Sequence, residues 1–273
     1  MNEPSPAGLA TRGWFDAHVL SGAHPAHRTQ SSTAGAIDAH LDRYELSGAL
    51  VGTMTSWLHD PMAGNAEASA VAARLGHRGV LACWCAVPPT PGELASLSEF
   101  VGRAVEGGAA AVRLYPRSHG FSAVDPVMDE LYAQLVDRRM PLWLDRPEAD
   151  WTDIAYLLTR FPALDVVVSQ VGYRELRVLA TLLPRHRGLH VDLVNFASHE
   201  GVEWLVERFG AGRLLFATGL GLRDPGESVL RLAWSGLDDD AVAEVGSGTA
   251  RRLLAGPATA GAAPRRAERT GVR

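Results

Sequence analysis

The feature that most constrains this chain is a repeating alternation. Eight short apolar runs, residues 13–19, 48–55, 79–87, 109–115, 141–145, 165–171, 189–194 and 213–218, are separated by stretches with helical spacing or helix-boundary residues. Most runs are continuously apolar rather than alternating polar and apolar. Strands of a parallel sheet, covered on both faces, have this character. Strand and helix alternate eight times in 273 residues with no clear linker. The economical fold is α/β, a single (β/α)8 TIM barrel over residues 13–255. A doubly wound open sheet is the alternative, weakened because no G-x-G-x-x-G follows a strand. Residues 1–12 and 256–273 carry little apolar material and are expected to be disordered.

The segments between the strands carry helix signals. Asn65 is read as the cap of a helix reaching His77. Pro91-Gly92-Glu93 opens another, closing at Gly107-Gly108, and Asp125-Pro126 opens a third that reaches Arg139. Trp151, Ile154, Ala155, Leu158 and Phe161 fall at helical spacing before Pro162, which ends the helix. Pro225-Gly226-Glu227 begins a helix through Trp234, and residues 238–254 close the fold.

Composition excludes several chemistries. All 26 cationic residues are arginine, with no lysine. No side-chain Schiff base, P-loop lysine or carboxylated lysine bridging two metals can exist. A net charge of −5 without a basic stripe argues against nucleic acid. No run approaches transmembrane length and the first residues lack an apolar leader core, so a cytoplasmic protein off the membrane is expected. Cys83 and Cys85 would share one face of a strand. No second cysteine pair completes a zinc site, and buried strand thiols are the plainer reading.

In a barrel of this type chemistry sits at the C-terminal ends of the strands. Those ends offer Asp16 and His18; Ser56, Trp57, His59 and Asp60; Cys85; Arg113 and Tyr115; Trp143, Asp145 and Arg146; Ser169 and Gln170; Asp192 and Asn195; and Thr218. Arg113 and Tyr115 share a strand face, and if it is the inner one they form a carboxylate clamp. His24 and His27 fall on a loop, and His119 on a loop at the mouth. His40, His77 and His186 are expected on solvated helix faces, and His190 at the opposite end, where position argues for stability.

The order of motifs resembles one family. Phe15-Asp16-Ala17-His18 stands where that family has D-x-H-x-H, and Asn65 matches a recurrent asparagine. Ala110–Pro116 is similar to its G-V-R/K-L-x-P strand, and Pro141–Asp145 to the strand that ends in a ligand histidine. Val167–Gly172 stands for L-G-H-L-G, Leu214–Gly219 for L-L-F-G-S-D, and Gly246–Leu254 for G-G-N-A-x-R-L-L. The chain is thus similar, over roughly Trp14 to Leu254, to the amidohydrolase-related metal-dependent TIM barrels typified by aminocarboxymuconate semialdehyde decarboxylase.

The resemblance implies a site whose residues have mostly changed. His18 matches the first histidine ligand. Leu20 replaces the second, Asp145 the strand-five histidine, Gln170 the strand-six histidine, and Gly219 the aspartate that serves as ligand or base. Leucine and glycine offer no donor, and glutamine is a poor transition-metal ligand. No cofactor is expected. A zinc or manganese ion would have His18 and Asp145 to hold it, with Asp16 as a flanking carboxylate, where a catalytic site usually has three protein ligands. Two functions remain open. One is a hydrolase, lactonase or decarboxylase on a small carboxylated or cyclic substrate. In it His18, Asp145 and Asp16 would move protons, and Arg113, Tyr115, Gln170, His59 and Thr218 would hold an anionic ligand. The other is a barrel without catalysis that persists as a binding or subunit protein. Related barrels often pair, so a homodimer fits either.

Overall fold

The eight apolar runs fold as eight parallel strands in a computed structural model of the chain, which describes residues 13–25, 31–90, 94 and 96–256. The elements run β1 (Phe15–Ala23), β2 (Ser31–Ser32), α1 (Ala34–Arg43), β3 (Gly48–Thr53), α2 (Met54–Leu58), α3 (Pro61–Leu75), β4 (Val80–Cys85) and α4 (Leu97–Glu106). They continue β5 (Ala109–Leu114), α5 (Asp129–Arg138), β6 (Leu142–Asp145), α6 (Trp151–Arg160), β7 (Val166–Ser169), α7 (Leu176–Leu182), β8 (Leu189–Asp192) and α8 (Gly201–Phe209). The chain ends β9 (Leu214–Leu215), α9 (Pro225–Ala233), α10 (Asp239–Ala243) and α11 (Thr249–Leu253). The segments expected to be disordered, 1–12 and 256–273, lie outside the described residues except for Gly256. So do His27 and the Pro91-Gly92-Glu93 helix start.

Strands β1 and β3 to β9 pair in chain order, and β2 adds a short antiparallel hairpin to β1. Residues after β9 close the circle onto β1. Ala17 N donates to Phe216 O at 3.0 Å, Gly219 N to His18 O at 3.0 Å, and Leu20 N to Leu220 O at 3.0 Å. The barrel is therefore a (β/α)8 TIM barrel with no free sheet edge between first and last strands.

Period-two alternation sorts the strand residues into two cores. Leu50, Cys83, Ala111, Trp143, Val167 and Leu215 belong to one cluster, which fills the barrel interior. Ala49, Val51, Val112, Leu142, Leu144, Val166, Val168, Val191 and Leu214 pack outward against helix residues such as Ile37, Phe100, Leu131, Ile154, Leu179 and Leu205. Ala250, Leu253 and Leu254 join the inner cluster with Phe15, at the start of β1, so the last helix plugs the N-terminal end of the barrel. By the same parity Cys85, Arg113, Asp145, Ser169 and Asp192, each two residues beyond an inward position, face inward at the opposite end.

Helix starts follow a simple chemistry that the chain uses three times. Asp60-Pro61, Asp125-Pro126 and Asp224-Pro225 each put a capping carboxylate before a proline at the first helical position. Asp60 accepts from Met62 N at 2.9 Å and Ala63 N at 3.0 Å, so the cap of α3 lies five residues before the expected cap Asn65. Asn65 is instead buried inside the helix. Its Nδ2 donates to Cys85 O at 2.8 Å and its Oδ1 accepts from Cys85 N at 2.6 Å. The β3–β4 ladder ends at Val51 and Ala82, so this amide takes the place of the missing strand neighbour at Cys85.

Asn65→Ala should leave both backbone groups of Cys85 buried without partners. A loss of about 2–4 kcal/mol is expected. Urea denaturation should show a lower midpoint at unchanged slope.

Candidate active site

The polar centre of the barrel is built around Arg113, at the inward end of β5. Its NH1 donates to His18 Nε2 at 2.8 Å and lies 3.4 Å from Asp145 Oδ1. Arg113 is 3% exposed, Asp145 1% and His18 0%. Arginine can only donate, so His18 Nε2 is an acceptor and the ring proton sits on Nδ1. That nitrogen lies 2.5 Å from Ser169 Oγ and 3.4 Å from Asp192 Oδ2, and Ser169 Oγ in turn donates to Asp192 Oδ2. The order is Asp192–Ser169–His18–Arg113–Asp145, drawn from β8, β7, β1, β5 and β6. Serine here gives its proton to the aspartate rather than to the imidazole, so this is not the arrangement of a serine nucleophile.

Asp16 does not join this chain. The register between β1 and β3 shifts between Asp16 and Val19, which breaks the simple alternation. Asp16 accepts from His18 N at 3.1 Å, Thr218 N at 2.9 Å, Thr218 Oγ1 and His40 Nε2 at 2.9 Å. Its carboxylate ties β1 to the closing segment and to α1. His40, expected on a solvated face, is 5% exposed because it completes this bond set. Thr218 is likewise spent on Asp16. His190, at the other end of the barrel, is bonded through Nε2 to Asp165 at 3.0 Å.

Tyr115 lies beyond Arg113 and is 1% exposed. Trp57 of α2 stacks on it at 5.4 Å and 18°, and His119 meets its ring at 5.9 Å. Trp57 Nε1 donates to Glu148 Oε1 at 3.2 Å, and Glu148 also accepts from Ser118 N at 2.8 Å. These residues roof the centre. Glu148 carried no sequence signal, because its partners Trp57 and Ser118 lie 91 and 30 residues away in sequence. Ser169 and Asp192 did carry one, being inward by parity, but nothing in sequence shows that they meet His18. His59 is exposed at the end of α2, outside the network.

Gln170 follows inward Ser169 and would point outward in a regular strand. Its backbone is left-handed, with φ 59°, and its Nε2 reaches back to Asp145 Oδ2 at 2.9 Å. Gln170 also lines an open cleft of about 690 Å³ with Arg146, Tyr173, Arg174, Glu175 and Asn195. Gln170 is thus the element shared by that cleft and the buried Asp145.

Four buried polar atoms of β5, β6 and the residue after β5 have no hydrogen-bond partner among the described residues. They are Arg113 Nε, Tyr115 OH, Trp143 Nε1 and Asp145 Oδ1. Arg113 and Trp143 are register neighbours on adjacent strands. Burial opposes the Arg113 charge, but Asp145, Tyr115 and Cys83 outweigh it and hold the guanidinium above its ordinary value. Burial lifts the Tyr115 hydroxyl well above its ordinary value, with Arg113 opposing.

The residues do not fit a metal of the kind the motif order implies. Among the described residues no group of three or more His, Cys, Asp or Glu side chains could hold one. Leu20 is wholly buried on the inner face, its Cδ2 filling the space that Gly52 leaves. Gly219 has φ 69°, and a Cβ there would lie 2.9 Å from Val194 Cγ1, so a carboxylate at this position needs rearrangement. The His18 lone pair is engaged by Arg113.

The chain belongs to the amidohydrolase family, whose model matches residues 17–256. Among solved structures it is similar to an uncharacterized TIM-barrel protein from Bordetella bronchiseptica, at 19% identity and TM-score 0.69, covering 89% of this chain and 98% of that one. It is also similar to 2,6-dihydroxybenzoate decarboxylase from Rhizobium, at 11% identity and TM-score 0.73, covering 89% and 99%. A third is 5-carboxyvanillate decarboxylase from Sphingomonas paucimobilis, at 13% identity and TM-score 0.72, covering 89% and 99%. Comparison with curated proteins finds no match. No helix among the described residues is long and apolar enough to cross a membrane.

Burial pushes the Cys83 thiol up to about 11, with Arg113 opposing and Asp145 adding, and lifts Cys85 well above its ordinary value. At pH 8 a thiol near 11 is only about 0.1% thiolate. Native protein should therefore resist alkylation at both positions, whereas denatured protein should take up two labels, as read by intact mass.

Proposed function

We propose that this barrel is an acid–base enzyme of hydrolase or carboxy-lyase type that acts on a small carboxylated molecule without a metal centre. The observation that carries this reading is the set of buried atoms without a hydrogen bond, Arg113 Nε, Tyr115 OH, Trp143 Nε1 and Asp145 Oδ1, beside the buried His18. Buried donors without partners are costly, and a carboxylate would satisfy three of them at once. Arg113 and Tyr115 orient the anion, with Trp143 as a further donor. His18 and Asp145 move the proton. A carboxylate that takes the Arg113 NH groups releases the His18 lone pair, so binding itself would arm the base. Gln170 stands between the rim cleft and Asp145, on the natural approach for a ligand. The decarboxylases among the structural neighbours act on aromatic acids by their names, which makes hydroxybenzoates the first compounds to try.

A second reading rests on a separate observation. His18 is wholly buried with both ring nitrogens bonded inside the barrel. A non-catalytic barrel that binds a ligand or partner would tolerate that arrangement permanently.

Calorimetry with benzoate, hydroxybenzoates and short dicarboxylates separates the two. Binding should survive chelator treatment and weaken about 100-fold in Arg113→Gln, the loss of one charge-assisted contact. Turnover, read as product by mass spectrometry, should fall about 10²- to 10⁴-fold in Asp145→Asn and in His18→Gln. Ligand bound and released unchanged would favour the second reading. No carboxylate bound at millimolar concentration would remove the first.

A further inference from the structure

The donors that remain at the mouth of this barrel converge on a cation that the chain itself supplies. His18 Nε2 lies 2.8 Å and Asp145 Oδ1 3.4 Å from one atom, Arg113 NH1. An imidazole lone pair and a carboxylate oxygen are what a divalent ion would draw on. Here the lone pair accepts a hydrogen bond from a guanidinium nitrogen and the carboxylate oxygen lies within ion-pair distance of the same nitrogen, in a site where all three side chains are at most 4% exposed. We propose that the Arg113 guanidinium is the resident cation of this centre, standing where a divalent ion would have to stand, and that Arg113, as well as the missing donors, keeps the centre free of metal. The inference rests on the metal-independent reading above and deepens it.

Two physical effects give the guanidinium this role. A metal could use His18 only by breaking the bond from Arg113 NH1, because Nε2 has a single lone pair. It would also have to sit against a fixed positive charge only a few ångströms away, in surroundings that screen poorly. Asp145 is held by Gln170 Nε2 at 2.9 Å on its other oxygen, so it cannot turn both oxygens to an incoming ion without losing that bond. Unlike a metal, this cation cannot dissociate or be chelated. It can also bind a substrate carboxylate through two parallel hydrogen bonds.

Position 20 allows a direct test. Leu20 is inward, two residues beyond His18 and wholly buried. Leu20→His adds a third donor to His18 and Asp145, the number a catalytic site uses. Co²⁺ binding is measured by equilibrium dialysis and visible absorption on the wild type, on Leu20→His, and on Leu20→His combined with Arg113→Met or Arg113→Gln. Circular dichroism reports which variants keep the fold, and the glutamine variant serves where methionine leaves Asp145 too poorly satisfied. The expected result is no stoichiometric Co²⁺ in the wild type. Either double variant should bind one Co²⁺ per chain at least ~100-fold tighter than Leu20→His alone, since removing a unit positive charge a few ångströms from a dication relieves several kcal/mol at intermediate dielectric. Equal affinity with and without Arg113, uptake by neither folded double variant, or stoichiometric Co²⁺ in the wild type overturns the proposal. If neither double variant folds, the single variant decides: stoichiometric Co²⁺ with Arg113 in place overturns it, and none supports it. Carboxylate binding by the wild type is a separate measurement, so failure here is distinguishable from failure of the proposed function.

Discussion

A guanidinium buried between an imidazole and a carboxylate governs the upper half of this barrel. Arg113 cannot lose its proton, so its surroundings must supply acceptors. His18 accepts a hydrogen bond from it, and Asp145 balances its charge as an ion pair at 3.4 Å. Removing the Asp145 carboxylate from such a pair costs about 3–5 kcal/mol, because the guanidinium charge stays buried. The arrangement fixes the His18 tautomer, and the tautomer fixes the direction of the bonds through Ser169 to Asp192. Five strands are thereby tied together at this end of the barrel.

The same constraint explains why the centre is polar yet does not suit a metal. Leu20 and Gly219 withhold donors for different reasons. Leu20 fills apolar space beside Gly52, while Gly219 holds a left-handed turn whose N–H closes the barrel onto His18 O. Asp16, which the D-x-H motif would place in the chemistry, is drawn away by a register shift and secures the seam between first and last strands. A motif can thus stay recognisable while its residues change employment, because strand-end positions are kept by the barrel and bonding partners are set by neighbours.

The sequence carried most of the fold. All eight strands lie within or beside the apolar runs read from the chain, since a parallel sheet buried on both faces must be apolar throughout. The helix over α3 was misplaced at its start because Asn65 is a capping residue type, and only its partner Cys85 reveals another use. At the site, alternation gives Arg113 and Tyr115 one shared face and Cys83 and Cys85 another, but that Arg113 and Asp145 point inward and meet is read from the structure. His40 was misread, since nothing local distinguishes a solvated helix histidine from one facing a buried carboxylate 24 residues earlier.

What the sequence determined by itself is the number and order of strands, read from local periodicity, and the absence of lysine chemistry, read from composition; the family resemblance alone implied that donors are missing at Leu20 and Gly219. The periodicity depends on residues a few positions apart. What only the tertiary structure decided is which strand ends meet. Arg113 and His18 are 95 residues apart, and His18 and Ser169 151 apart. Barrel curvature and the register of each strand pair bring them within bonding distance, and no local pattern encodes either quantity.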